Sequence, residues 1–182
     1  MNLTNSGSRT EVYQNSLNNF DKSSLDREII EKRLVKIRFV RKTVHILPRE
    51  YVSAAFSATK EGVQIASEKY YKYMGITESE YEKISKSILE LLGNNGLNTS
   101  EIKKDLNTET NLSPVINLMC DLGILVRGLS KGGWKSNAHT YYRTDRYLPD
   151  INLSEYSQDA ARKIIVSQYL SSFDPVTITD IS

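Results

Sequence analysis

Apolar positions recur along this chain in several distinct rhythms. Between Ser24 and Lys32, Leu25, Ile29 and Ile30 fall at helical spacing and predict a short amphipathic helix. Two pieces rich in β-branched residues follow, LVKIRFV (34–40) and TVHIL (43–47). They read as one long strand, or as two strands with a tight turn at Arg41-Lys42. As one strand, Arg41, Thr43 and His45 would continue the face of Val35, Ile37 and Phe39, because residues two apart share a side. Residues 49–58 and 61–73 read as two helices parted near Lys60–Gly62.

The middle of the chain carries clearer punctuation. Thr77 and Glu80 form a capping box ahead of Tyr81, Ile84, Ile88, Leu91 and Leu92 at helical spacing. Gly93 ends that helix, and Asn98 or Thr99 caps a short one after it. Ser113 as N-cap and Pro114 as first helical residue open a third, with Val115, Ile116, Leu118, Met119 and Leu122 as its stripe. Its remaining positions are Asn117, Cys120 and Asp121, and Gly123 stops it. A strand ILVRG, a tip LSKGGWKSNAH and a strand TYYRTDRYL complete the series.

Helix, short helix, helix, strand, glycine-rich basic tip, strand is the order of a winged helix. A helix over 158–173 and the segment VTITDI (176–181), which matches LNTSEI (97–102), then read as the opening of another such unit. The predicted fold class is therefore α+β, mainly α with short β-hairpins, built as tandem winged-helix repeats with the last incomplete. Residues 1–75 would hold a partial unit with the basic hairpin, 76–150 a winged-helix domain, and 151–182 the start of a truncated one. The face of helix 158–173 (Ala161, Ile164, Ile165, Tyr169, Phe173) would lack most of its partner surface, which predicts poor stability or self-association.

Composition narrows the class. At 39% hydrophobic and 25% charged the chain is ordinary for a globular protein. No apolar run is long enough to span a bilayer, so no membrane role is expected. The N-terminal residues contain no apolar signal core, which leads to the expectation of a cytoplasmic protein. One cysteine and two distant histidines give no internal disulfide and no zinc spacing, and the sequence has no Gly-rich phosphate loop and no Gly-x-Ser-x-Gly elbow.

The net charge of +2 conceals a segregation. Lys32 to Arg49 holds seven bases and no acid; Ile76 to Asp121 holds eight acids and four bases; Arg127 to Arg146 holds five bases and one acid. Both basic stretches are hairpin-like, and this predicts a polyanion as the partner. The third helix offers no Arg, Lys or Gln for base edges, which argues against sequence-specific readout by it.

Three segments carry a resemblance to a known family: KRLVKIRFVRKTVHILP (32–48), LMCDLGILVRG (118–128) and SQYLSSFDPVTITDIS (167–182). Together they resemble the winged-helix DNA-binding family that contains the AlkZ/YcaQ-like DNA glycosylases, over roughly residues 14–182. The resemblance implies tandem winged helices cradling duplex DNA, and removal of alkylated or cross-linked bases by N-glycosidic cleavage with no metal and no small-molecule cofactor needed. It also implies a Gln-x-Gln or Gln-x-Asp motif ahead of the basic hairpin, placing water at the anomeric carbon. Asn2 and Thr4 stand where those glutamines should fall, and Gln14 aligns too late. Whether the chain is an enzyme is therefore left open, and the alternative is a non-enzymatic DNA-binding or regulatory module. A protein-interaction scaffold would suit the acidic middle but not the basic hairpin.

The expected DNA-binding residues are Lys36, Arg38, Arg41, Lys42 and Thr43 on the hairpin and Lys131, Trp134 and Lys135 on the wing. Trp134 reads equally as a cover for the underside of the wing. His45 is the one catalytic candidate, with a hydrogen bond to the DNA backbone or lesion nucleotide as its role; the other reading is a satisfied core histidine.

Overall fold

A computed structural model describes residues 21–133 and 136–173. Helix α1 (Lys22–Ile30) begins on Asp21, whose carboxylate accepts the Ser23 N–H at 3.1 Å. Strands β1 (Leu34–Arg38) and β2 (Val44–Pro48) pair antiparallel, with Ile37 opposite His45 and Lys36 opposite Ile46. The two β-branched pieces are thus a hairpin. Neither Gly nor Asn occupies its turn; Arg41 takes the left-handed position itself, at φ 54.

Helix α2 (Val52–Tyr73) is continuous through Gly62, where two helices were expected. A lone glycine inside a helix costs only about 1 kcal/mol. Packing on both halves of α2 offsets it: Ala54, Ala55 and Ala58 lie in the core near its start, and Ser67 and Tyr71 are buried near its end.

Both capping boxes form. Thr77 and Glu80 open α3 (Glu78–Leu92). Asn98, in the two-residue strand β3 (Leu97–Asn98), opens α4 (Thr99–Asp105) with Glu101 reaching back. In α5 (Ser113–Asp121) the start shifts by one residue: Leu112 is the cap position, and the Asn111 side chain accepts the Ser113 N–H at 3.1 Å. Gly123 ends α5 at φ 73, with the Ile124 N–H donating to the Met119 carbonyl at 2.9 Å. The strands β4 (Leu125–Ser130) and β5 (His139–Arg143) follow. The last expected strand is shorter than read, because Thr144–Tyr147 turns into a short helix, α6.

All five strands belong to one antiparallel sheet, ordered β2-β1-β4-β5-β3. The pairing of Lys36 with Arg127 joins the basic hairpin to the second hairpin, so the sheet runs across the division expected at residue 75. One main core lies between α3, α4, α5 and the sheet, around Ile88, Leu92, Ile102, Val115, Ile116, Met119, Leu125 and Tyr141. A second cluster, Val35, Val52, Val126 and Leu148, lies beneath the opposite sheet face.

Helix α7 (Gln158–Phe173) corrects the self-association reading. Ala161 is fully buried, and Ile164 and Ile165 pack with it against Phe39, Ala54, Ala55 and Ala58. The Tyr51 hydroxyl donates to the Gln168 side chain at 2.8 Å across the same junction. The first part of the apolar face expected to lack a partner, Ala161, Ile164 and Ile165, is covered by α2, while Tyr169 further along it stays exposed. The Phe173 side chain and the segment VTITDI lie outside the described residues.

Candidate nucleic-acid interface

The basic hairpin presents far less charge than its sequence contains. Lys36 is 6% exposed, and burial pushes its ammonium pKa down, opposed by Asp26. Arg38 donates to Asp121 at 2.8 Å, with only 13% of its side chain exposed and none of the aspartate's. The Ser67 hydroxyl donates to that same carboxylate. Both residues lie on the strand face turned toward α5, so Lys36 and Arg38 are placed inside rather than on a DNA-facing surface.

The exposed part of the hairpin is its tip. Arg41 is exposed there. The Thr43 hydroxyl donates to the Val40 carbonyl at 3.0 Å and braces the turn. The His45 ring lies edge-on to Phe39, centroids 5.4 Å apart, with Nδ1 3.0 Å from the Thr43 carbonyl. That contact fixes the proton on Nδ1 in the neutral ring and makes Nε2 an acceptor. His45 is half-buried on the face that carries Val35, Ile37 and Leu47. The expected alternation of Arg41, Thr43 and His45 on one strand face is broken by the turn. The Lys42 side chain lies outside the described residues.

On the wing, the Lys131 ammonium pairs with Glu101, the residue that also completes the α4 capping box. It remains 54% exposed. Trp134 and Lys135 lie outside the described residues, as do Asn2, Thr4 and Gln14. At the wing base, Ser130 and His139 Nδ1 are 2.8 Å apart. Burial, with Arg127 and Lys36 nearby, pushes the His139 pKa down to about 4, so the ring is neutral at pH 7.

Two further features bear on DNA binding. Helix α5 is wrapped by protein: Cys120 and Asp121 are buried, contrary to their reading as surface positions, and Asn117 accepts from Arg127 at 2.8 Å. It has no free face to lay in a groove. The antiparallel register of β1 and β4 also sends the hairpin tip and the wing out of opposite ends of the sheet. The six residues of β4 separate them by roughly 17–20 Å along the strand.

Sequence reasoning missed a third basic region, around Lys32, Arg143 and Arg146. Tyr142 and Tyr147 stack there, centroids 4.6 Å apart, because α6 folds back onto the sheet. The doublet Tyr141-Tyr142 followed by Arg143, Arg146 and Tyr147 was the available signal, but its convergence depends on that fold-back. Among the described residues no group of His, Cys, Asp and Glu could hold a metal ion. No described helix is long and apolar enough to cross a membrane.

The same α+β architecture occurs in a solved DNA glycosylase. The DNA glycosylase AlkZ of Streptomyces sahachiroi matches with a TM-score of 0.63, over 87% of this chain and 44% of that one, at 19% identity. The chain thus spans less than half the length of that protein. A family model described as DNA glycosylase AlkZ-like matches residues 12–182, and the chain belongs to that family. No curated protein sequence matches it significantly.

Proposed function

We propose that this chain binds duplex DNA without sequence preference, through the hairpin tip and the wing. We read residues 76–150 as a winged-helix unit whose third helix is structural. The observation that carries the reading is the hairpin: Arg41 is exposed at a braced tip while α5 is buried. Family membership supports DNA as the partner and base excision as the related chemistry.

The contacts would be electrostatic. Each phosphate contact releases counterions, so log K should fall with log salt by about 0.9 per contact. Arg41, Lys42 and Lys131 with Lys135 are the candidate contacts; Lys36 and Arg38 are structural. The test is fluorescence anisotropy with a labelled duplex over a salt series. An affinity that ignores salt, or that is unchanged in Arg41→Gln/Lys131→Gln, would sink the reading.

Excision by this chain is a separate question. Glycosidic cleavage needs polar groups that position water and stabilise an oxocarbenium-like sugar, and losing one such group commonly costs about 10²–10³ in rate. The family's glutamines are expected near Asn2 and Thr4, ahead of the matched residues 12–182, so excision is a question for the assay. His45 remains the candidate to hydrogen-bond the lesion nucleotide, through Nε2. Release of 7-methylguanine from duplex DNA should be negligible; robust turnover lost in His45→Ala would make the hairpin the catalytic element.

A further inference from the structure

The sheet face that carries Tyr142 opens into a cavity of about 160 Å³, lined by Lys32, Asn94, Tyr142, Arg143, Arg146 and Tyr147 among others. The stacked rings of Tyr142 and Tyr147 form an aromatic wall, tilted by 32° to each other. Glycine makes room for that wall: a Cβ on Gly128 would lie 2.6 Å from the Tyr142 ring, and one on Gly96 only 2.3 Å. The Tyr147 hydroxyl donates to the Ile29 carbonyl at 3.0 Å, which ties α6 to the end of α1.

Three cations converge on this wall. The Lys32 ammonium lies 4.6 Å from the centre of the Tyr147 ring. Its backbone is left-handed at φ 60, at the end of α1, with the Arg33 N–H donating to the Glu28 carbonyl at 2.9 Å. Glycine or asparagine usually fills that position. Here the lysine accepts the unfavourable backbone and sends its side chain over the ring. Arg143 is held as a fork by Asp145, at 2.7 and 3.0 Å. Arg146 stays 60% exposed, its Nε 3.8 Å from the same carboxylate.

The local charge balance is positive. Arg49 and Asp150 form an ion pair beside Lys32 and Tyr147. Lys32, Arg49, Arg143 and Arg146 then face Asp145 and Asp150, a surplus of two cations. Asn94 adds a carboxamide at the rim, on the exposed turn after α3. A concave, donor-rich and cationic cavity suits an oxyanion that spreads charge over several oxygens.

We propose that this cavity is a phosphate-binding site, distinct from the hairpin tip and the wing, and that it holds a phosphate group of a DNA strand. In that form the inference rests on the proposed DNA binding. A free phosphate offers the same chemistry, and the experiment separates the two sources.

The test compares the full chain with a Lys32→Gln/Arg146→Gln variant, which keeps both side chains long and removes their charge. Duplex affinity is measured over a salt series, and inorganic phosphate binding by calorimetry. Losing the one phosphate contact that these cations make should leave the slope of log K against log salt shallower by about 0.9. An unchanged slope, with inorganic phosphate bound by the wild type and not by the variant, assigns the cavity to a free phosphate. If neither measurement differs, the site is overturned. Circular dichroism checks that the variant folds; Asn94→Asp, on the exposed turn, should weaken the same binding if it does not. Loss of duplex binding in Arg41→Gln reports on the hairpin tip alone, so the two readings fail separately.

Discussion

Lys36 and Arg127 stand directly opposite each other across the seam between β1 and β4, 6% and 4% exposed. Like charges in that position repel, so the seam depends on what surrounds it. Asp121 carries much of that burden: it takes Arg38 at 2.8 Å, lies close to Arg127, and accepts the Ser67 hydroxyl. Asp121→Asn should therefore destabilise the fold by about 3–5 kcal/mol, because it leaves buried cations uncompensated. Urea denaturation measures it. A loss below about 1 kcal/mol would mean that solvent, not Asp121, neutralises the seam.

Arg41 separates stability from binding. Its φ of 54 is strained for arginine and easy for glycine. Arg41→Gly should raise stability by about 0.5–1 kcal/mol while weakening DNA binding. Thermal melting and duplex titration of the same preparation give both numbers. Equal losses in both would show that the side chain holds the turn together.

His139 makes a pH prediction. Its folded pKa is pushed down to about 4 from an ordinary 6.5, by burial and then by Arg127 and Lys36. The unfolded chain therefore binds a proton that the folded one refuses. The stability associated with neutral His139 is fully present above pH 6.5 and is lost as pH falls toward 4. Allowing for solvent screening of a half-buried ring, the loss is about 1–2 kcal/mol. His139→Gln should flatten the stability profile across that window, measured by denaturant titration at several pH values.

The α2–α7 contact is testable by overpacking. Ala161 is 0% exposed and packs against Ala54, Ala55 and Ala58. Small residues here let the two helices approach closely. Ala161→Leu should cost about 1–3 kcal/mol. Size-exclusion chromatography should show no change in oligomeric state for the wild-type chain with concentration, because Ala161, Ile164 and Ile165 are already covered. Wild-type stability in Ala161→Leu would contradict the packing.

Glycine at 123 tests the end of α5. At φ 73, a Cβ would lie 2.5 Å from Leu153 and 2.8 Å from Phe56. Gly123→Ala combines backbone strain with overpacking and should cost about 2–4 kcal/mol. A melting temperature within a degree of wild type would show that the 148–157 connection yields to make room.

Local elements of this fold follow from short stretches of the chain. Thr77 with Glu80, and Asn98 with Glu101, meet within a single helical turn, so their caps form from neighbours in the chain. Gly123 is legible as the end of α5 because its left-handed backbone angle is a local requirement, although the close approach of Leu153 and Phe56, which also excludes a Cβ there, is not. The order of helices and hairpins over 78–143, and membership of the glycosylase family, were legible on such short-range signals. Which charges face water is settled only once the chain is folded. Lys36 and Arg38 look like DNA contacts in a run of seven bases, yet the β1–β4 pairing turns them toward Asp121 and Arg127. Gly62 looks like a break until packing at both ends of α2 outweighs its cost. Tyr142, Tyr147 and Lys32 line one cavity only because α6 folds back and α1 ends beside it. The physical reason is one of range: a cap or a turn is settled by the few residues it contains, whereas burial of a charge depends on distant partners, as Arg38 depends on Asp121, 83 residues away.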